Sequence, residues 1–272
     1  MIDLHSHTTA SDGEHAPAEL MRLAHAAKVT TLAVTDHDTV AGLAACREAA
    51  GTLGMTLVNG IEITAFLNRR EVHVLGHFVD PTEARLASFA AKLKVERENR
   101  MVQMVEKMKG LGFPVTMEQV RALAGDDAHL ARPHLARVLV ELGFCTSTKE
   151  AFHRFLADGR PGAVPRFELA AADAVAIIRG AGGAATLAHP GVSKIEAHDL
   201  AALKTAGLAG VEVEHSDHPP SLREKLRKIA VELDLVPTSG SDFHGAKVAP
   251  NRHLGSASMK LVDLERLHAR AG

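Results

Sequence analysis

Residues 1–13 read MIDLHSHTTASDG, and their spacing governs how the rest of the chain is read. Asp3, His5 and His7 alternate with Leu4, Ser6 and Thr8, so an extended segment here sets both imidazoles on one face. Two imidazoles placed that way converge on one cation. Asp12, in the Ser11-Asp12-Gly13 turn, adds a carboxylate within reach of the same pocket. Working outward, later apolar runs deliver the same kind of residue. Residues 31–35 (TLAVT) have the pattern of a strand buried on both faces and stop at Asp36-His37-Asp38. Residues 55–63 run into Glu62, and residues 72–79 carry His73. Residues 184–188 end at His189-Pro190, and residues 235–238 deliver Ser239-Gly240-Ser241-Asp242-Phe243-His244.

Helical patterns fall between most of these runs. Pro17 opens one, with Leu20, Met21, Leu23, Ala24 and Ala27 as its apolar stripe, and Thr39 is expected to cap a second through Ala50. Pro219 starts another before the last strand. Seven strands with helices interposed are the pattern of parallel βα units. In a closed parallel barrel the strand ends meet at one mouth, so residues scattered along the chain would gather there. From Asp80-Pro81 the character changes, with helical periodicity to Gly110 and a Thr116/Gln119 capping box. Further helix starts follow at Arg132-Pro133 and at Ser147 with Glu150. The expectation is an α/β fold: a distorted barrel of residues 1–99 and 163–272, with a helical insertion of residues 100–162 over its active site.

Composition narrows the function classes. A net charge of −2 over 272 residues provides no global pull toward nucleic acid or an anionic membrane, so a phosphorylated substrate needs a local cationic cluster. No leader pattern or membrane-length apolar run is seen, and Cys46 and Cys145 lack framework spacing, which fits a reducing cytoplasm. Seventeen histidines beside no Trp and no Tyr point to metal ligation. His77 shares a face with His73 but lies roughly 13 Å further along, so His73 is preferred. His15, His25, His129, His153, His198, His218, His253 and His268 fall on helices or loops and are expected to be exposed or merely hydrogen-bonded. Glu214 and His215 end a strand without a settled role.

Taken together, DLHSHTTASDG, TDHD, Gly60-Ile61-Glu62, residues 72–76 (VHVLG), Ala188-His189-Pro190 and residues 241–244 (SDFH) resemble the polymerase and histidinol phosphatase (PHP) family in motif order. The likeness is greatest to its 3′,5′-nucleoside bisphosphate phosphatase subgroup, which includes enzymes that trim RNA from the 5′ end. The resemblance implies a distorted seven-stranded (βα) barrel and three divalent ions, most often Mn²⁺, with Fe or Zn in relatives. It implies that His5, His7, Glu62 and Asp242 hold one ion, that Glu62, His73 and His189 hold a second, and that Asp12, His37 and His244 hold the third. Asp12 stands where many relatives place a histidine. His244, Asp12 and Glu62 form the expected catalytic set. The leaving oxygen takes its proton from His244 or water, or is held by a metal.

Mixed imidazole and carboxylate ligation suits Mn²⁺, Fe²⁺ or Zn²⁺, and the absence of thiolates disfavours a structural zinc site. Expected substrate handles are Arg97, Asn99 and Arg100 on the long helix, Arg132 and His134 at a later helix start, and Arg160. The expected reaction releases the 3′-phosphate of a nucleoside 3′,5′-bisphosphate. The alternatives are a 5′-to-3′ exoribonuclease on short RNA ends, or a phosphatase for another small metabolite such as histidinol phosphate. An amidohydrolase would call for a bridging lysine or glutamate, and no lysine ends a strand here. A non-catalytic remnant would keep the metals as braces. No membrane or obligate protein partner is expected.

Overall fold

The computed structural model describes residues 1–124, 130–165 and 167–272. The chain divides into two compact units, residues 1–89 with 168–272, and residues 90–167. In the first unit the strands are β1 (Ile2–Asp3), β2 (Thr31–Val34), β3 (Thr56–Leu67), β4 (Arg70–His77), β5 (Ala184–Leu187), β6 (Gly210–Glu214) and β7 (Val236–Ser239), hydrogen-bonded in sequence order. Leu4 N–H donates to the Ser239 carbonyl at 3.1 Å, and Ser6 bridges Phe243, which brings the two edges of the sheet together into a near-closed barrel. Around it run α1 (Pro17–Ala26), α2 (Leu43–Leu53), α7 (Ala171–Gly180), α8 (Ala197–Thr205), α9 (Pro220–Glu232) and α10 (Leu261–His268).

Proline at the first turn starts α1 as expected, because its missing N–H is one of those a helix leaves unpaired there. Thr39 does not cap α2. Its hydroxyl accepts from the Ala41 N–H at 3.2 Å in a local turn, and the helix begins at Leu43. Gly54 ends α2 in the left-handed conformation, φ 66°. The apolar faces of these helices bury Leu20, Met21, Ala174, Ile178, Leu200 and Leu226 against the sheet.

One strand departs from the parallel pattern. Leu67 faces Arg70 across Asn68-Arg69, whose φ values are 50° and 65°. That is a two-residue hairpin of the I′ kind, which has no room for a crossover, so β4 runs antiparallel to β3 and also to β5. An Asn-Arg turn lacks the glycine that usually announces such a hairpin. As a result the first half of β4, carrying His73 opposite Thr64, lies toward the mouth, rather than its end.

The hairpin is tied to α8 through a buried carboxylate. Asp199 accepts from Arg70 Nη2 at 2.6 Å, Asn68 Nδ2 at 3.0 Å and the Glu196 N–H at 3.1 Å. Burial would raise its pKa, but the Glu196 amide and Arg70 outweigh this and hold it below the usual carboxylate value. Arg70→Ala is therefore expected to cost about 1.5–3 kcal/mol in urea unfolding at neutral pH. Because the folded value lies below the unfolded one, the wild-type contribution is complete above about pH 5 and fades as pH falls through the folded value. A variant with an unchanged urea midpoint would refute this.

The second unit is helical. The helix α3 (Ala84–Gly110) enters it, followed by α4 (Met117–Ala124), α5 (Arg132–Glu141), α6 (Thr148–Ala151) and a π-helical turn at Phe152–Leu156. Thr116 and Gln119 form the expected capping box, at 2.9 and 3.3 Å. Its own core joins Met104 and Met108 to Val120, Leu135, Leu139 and Leu156.

Candidate metal centre

At the mouth of the barrel five imidazoles surround one carboxylate. Glu62 Oε2 lies 3.3 Å from His5 Nε2, 3.1 Å from His7 Nε2 and 3.2 Å from His37 Nδ1. Its other oxygen lies 2.9 Å from His73 Nδ1 and 3.3 Å from His189 Nε2. Asp242 Oδ1 stands 3.3 Å from both His5 and His7 Nε2, and Asp12 Oδ1 stands 3.3 Å from His244 Nε2. Donor atoms thus gather in three overlapping groups: His5, His7, Glu62 and Asp242; His7, Asp12, His37 and His244; and His37, Glu62 and His73. His37 touches two groups, where the resemblance gave it one. His189 joins through Glu62. His77 stays apart, within hydrogen-bonding distance of the Leu4 carbonyl at 2.9 Å, and burial lowers its pKa to about 4.

These atoms fit cations. His5 Nε2, both nitrogens of His7, His37 Nδ1, Glu62 Oε2 and Asp12 Oδ1 are buried without a hydrogen-bond partner among the described residues. A buried polar atom left this way is costly unless something else meets it. The 3.1–3.3 Å separations match the edge of a coordination polyhedron whose bonds are about 2.1 Å. Electrostatics agree. Burial opposes protonation, yet Asp242 and Glu62 raise His7 to about 9, and Glu62 and Glu71 raise His73 to about 10. His37 goes the other way, to about 3, through burial and its imidazole neighbours His7 and His73. A surplus of buried negative charge that draws protons onto imidazoles is one for which a divalent cation competes.

Positioning groups stand behind the cluster. Glu212, buried on β6, lies 3.1 Å from His5 Nδ1 and accepts the His189 N–H at 2.7 Å. Glu71 lies 3.3 Å from the far nitrogen of His73. Asp36 accepts the Thr8 N–H, the Thr8 hydroxyl and the Ser11 hydroxyl, each at 2.7 Å, which fixes the turn that carries Asp12. Asp242 Oδ2 is bonded by Arg252 and lies 3.4 Å from His215 Nε2, leaving Oδ1 to face His5 and His7. Of these, Glu212 was legible but passed over. Period two puts Glu212 and Glu214 on one face, but a register shift between them turns Glu214 outward to Arg223 and Arg227. Glu212→Gln should weaken metal binding about 10–100-fold while the fold persists, as titration with Mn²⁺ against a competing chelator would show. Wild-type affinity would remove Glu212 from this role.

The expected substrate handles all lie in the helical unit. Arg100 Nε donates to the Val164 carbonyl at 2.8 Å, and Arg132 pairs with Asp158 at 2.8 Å. His134 Nδ1 accepts the Ala131 N–H at 3.1 Å, closing the start of α5. Arg97 is half-buried, while Asn99 and Arg160 are exposed. His129 lies outside the described residues.

Residues 3–133 match the PHP domain model. Relatives named 5′-3′ exoribonuclease in Haemophilus influenzae, Escherichia coli and Salmonella typhimurium are 35–37% identical over 89–90% of this chain and 85–89% of their own. This chain belongs to the PHP family. A 3′,5′-nucleoside bisphosphate phosphatase of Chromobacterium violaceum is 34% identical over 89% of this PHP protein and 87% of its own length. A solved structure named as a metal-dependent phosphoesterase, from Bifidobacterium adolescentis, superposes with a TM-score of 0.91 at 32% identity, covering 99% of this chain and 96% of that one. This PHP protein is a metal-dependent phosphoesterase, and its clustered His, Asp and Glu donors are consistent with a centre for more than one metal ion. None of its described helices is long and apolar enough to cross a membrane.

Proposed function

We propose that the chain is a 5′-3′ exoribonuclease on short 5′-phosphorylated RNA, with nucleoside 3′,5′-bisphosphates as its shortest substrates. The observation that carries this reading is the similarity, across nine-tenths of the chain, to relatives bearing the exoribonuclease name. The bisphosphate phosphatase at 34% identity supports the second activity, which sequence analysis ranks first. Both reactions break one kind of bond. The oxygen of water joins phosphorus, the bond from phosphorus to the ribose 3′-oxygen breaks, and that oxygen leaves with a proton. In RNA the phosphoryl group carries the next nucleotide; in the bisphosphate it is terminal.

Three divalent ions, Mn²⁺ first among them, would be held by His5, His7, Glu62 and Asp242, by Glu62, His73 and His189, and by Asp12, His37 and His244. When bound they supply Lewis acidity toward water and positive charge for the phosphoryl oxygens. Glu62 would contribute to two of these groups, since its two oxygens face different imidazoles. Asp12 and His244 form the edge that borders open space, where substrate enters. Arg97, Arg100 and Arg132, with Asn99, His134 and Arg160, are the proposed contacts for the substrate's 5′-phosphate.

The test pairs a 5′-phosphorylated RNA tetranucleotide with a nucleoside 3′,5′-bisphosphate, after elemental analysis of the purified protein. About three ions per chain and stepwise release of 5′-mononucleotides are expected. Phosphate release from the bisphosphate with intact RNA would overturn the exoribonuclease reading.

A further inference from the structure

Beside the ion pit, within the barrel unit, lies a cavity of about 310 Å³. Asp12 and His244 form the wall it shares with the pit, and Asp217, Val248, Asn251 and Arg252 are among the residues that line the rest. In a nucleoside 3′,5′-bisphosphate nothing extends beyond the scissile phosphoryl group on the side away from O3′. RNA does have a further part, the nucleotide attached through O5′ to the scissile phosphorus. We propose that this cavity receives that next nucleotide, a claim that rests on the exoribonuclease reading.

Three features support the assignment. The volume lies at the floor of the roughly 300–1,000 Å³ range of ligand pockets, so it suits one nucleotide and not a longer track. Its walls match a ribose-phosphate: the Asp217 carboxylate and the Asn251 amide meet hydroxyls, and the Arg252 guanidinium meets phosphate. Apart from the His244 imidazole, which belongs to the wall shared with the ion pit, the lining has no aromatic ring, so it offers little to read a base with, which suits an enzyme that takes successive nucleotides. Arg252 is also fixed in advance. Nη2 is 2.8 Å from Asp217 Oδ2 while Nη1 bonds Asp242, so little side-chain freedom is lost when substrate arrives.

The experiment fills the cavity. Val248 is 41% exposed, so Val248→Trp adds bulk without disturbing the core, and Asn251→Trp does so from another wall. The chain has no tryptophan of its own, so emission from the new indole reports whether it is shielded. The readout is the ratio of kcat/KM on the RNA tetranucleotide to kcat/KM on the bisphosphate, with metal content measured alongside. A fall of about tenfold or more in that ratio, in either variant and at wild-type metal content, is expected. An unchanged ratio in both variants overturns the proposal. So does an equal loss on both substrates, which would place the shared nucleotide in the cavity. A wild-type enzyme that leaves RNA intact removes the exoribonuclease reading itself, and the proposal falls with it.

Discussion

Glu62→Gln is expected to lower turnover by about a thousandfold, roughly 4 kcal/mol of barrier, and to strip most of the bound metal. The reason is the crowding around one side chain. Its two oxygens lie within 2.9–3.3 Å of nitrogens from five histidines contributed by β1, β2, β4 and β5 or the residues just beyond them. Glutamine keeps the shape but replaces one acceptor oxygen with a donor and removes the negative charge. A carboxylate can bridge two cations, whereas an amide nitrogen has no lone pair to offer. The measurements are metal per chain and turnover, with circular dichroism to confirm the fold. Retention of full metal content together with wild-type turnover would show that Glu62 is not the bridge.

Gly240→Ala should rank next, although the residue has no chemistry of its own. A Cβ built there would lie 2.6 Å from Glu212 Oε1 and closer still to the His5 Cβ, with the His5 backbone nitrogen at 3.0 Å. Neither residue can yield, because Glu212 and His5 hold each other at 3.1 Å inside the barrel. Overpacking of this kind costs about 1–3 kcal/mol. The expected result is a lowered melting temperature and at least about a tenfold loss of metal affinity, since the imidazole displaced is one that faces both Glu62 and Asp242. Wild-type melting and metal content in the alanine variant would refute the argument.

The positive-φ residues show what holding the centre requires. Asp38 at 56° and Asp242 at 51° both turn the chain in the left-handed region a few residues past a strand end. Non-glycine residues pay for that conformation and keep it only where surrounding contacts impose it. Asp38 Oδ1 accepts the Thr64 N–H at 3.0 Å, and Asp242 is bonded by Arg252. These contacts make the strand ends rigid supports for the imidazoles.

Much of the barrel and of the donor cluster was legible in the chain itself. Alternation at His5 and His7, and the habit of apolar runs to stop at Asp36-His37, Glu62, His189 and Asp242-Phe243-His244, are local signals, because strand period and strand ends are written in neighbouring residues. The direction of β4 was not legible, since Asn68-Arg69 forms its turn without glycine and chain direction depends on what pairs across it. Spacing favours His73 over His77, and the structure sets His73 in a donor group beside Glu62. What His77 does instead, meeting the Leu4 carbonyl, belongs to the folded barrel. Sequence by itself determined which side chains could bind metal and that strands would carry them. Only the tertiary structure decided that Glu212, Asp36 and Arg252 hold those side chains in place, because hydrogen bonds between residues 10 to 207 positions apart leave no mark on local pattern.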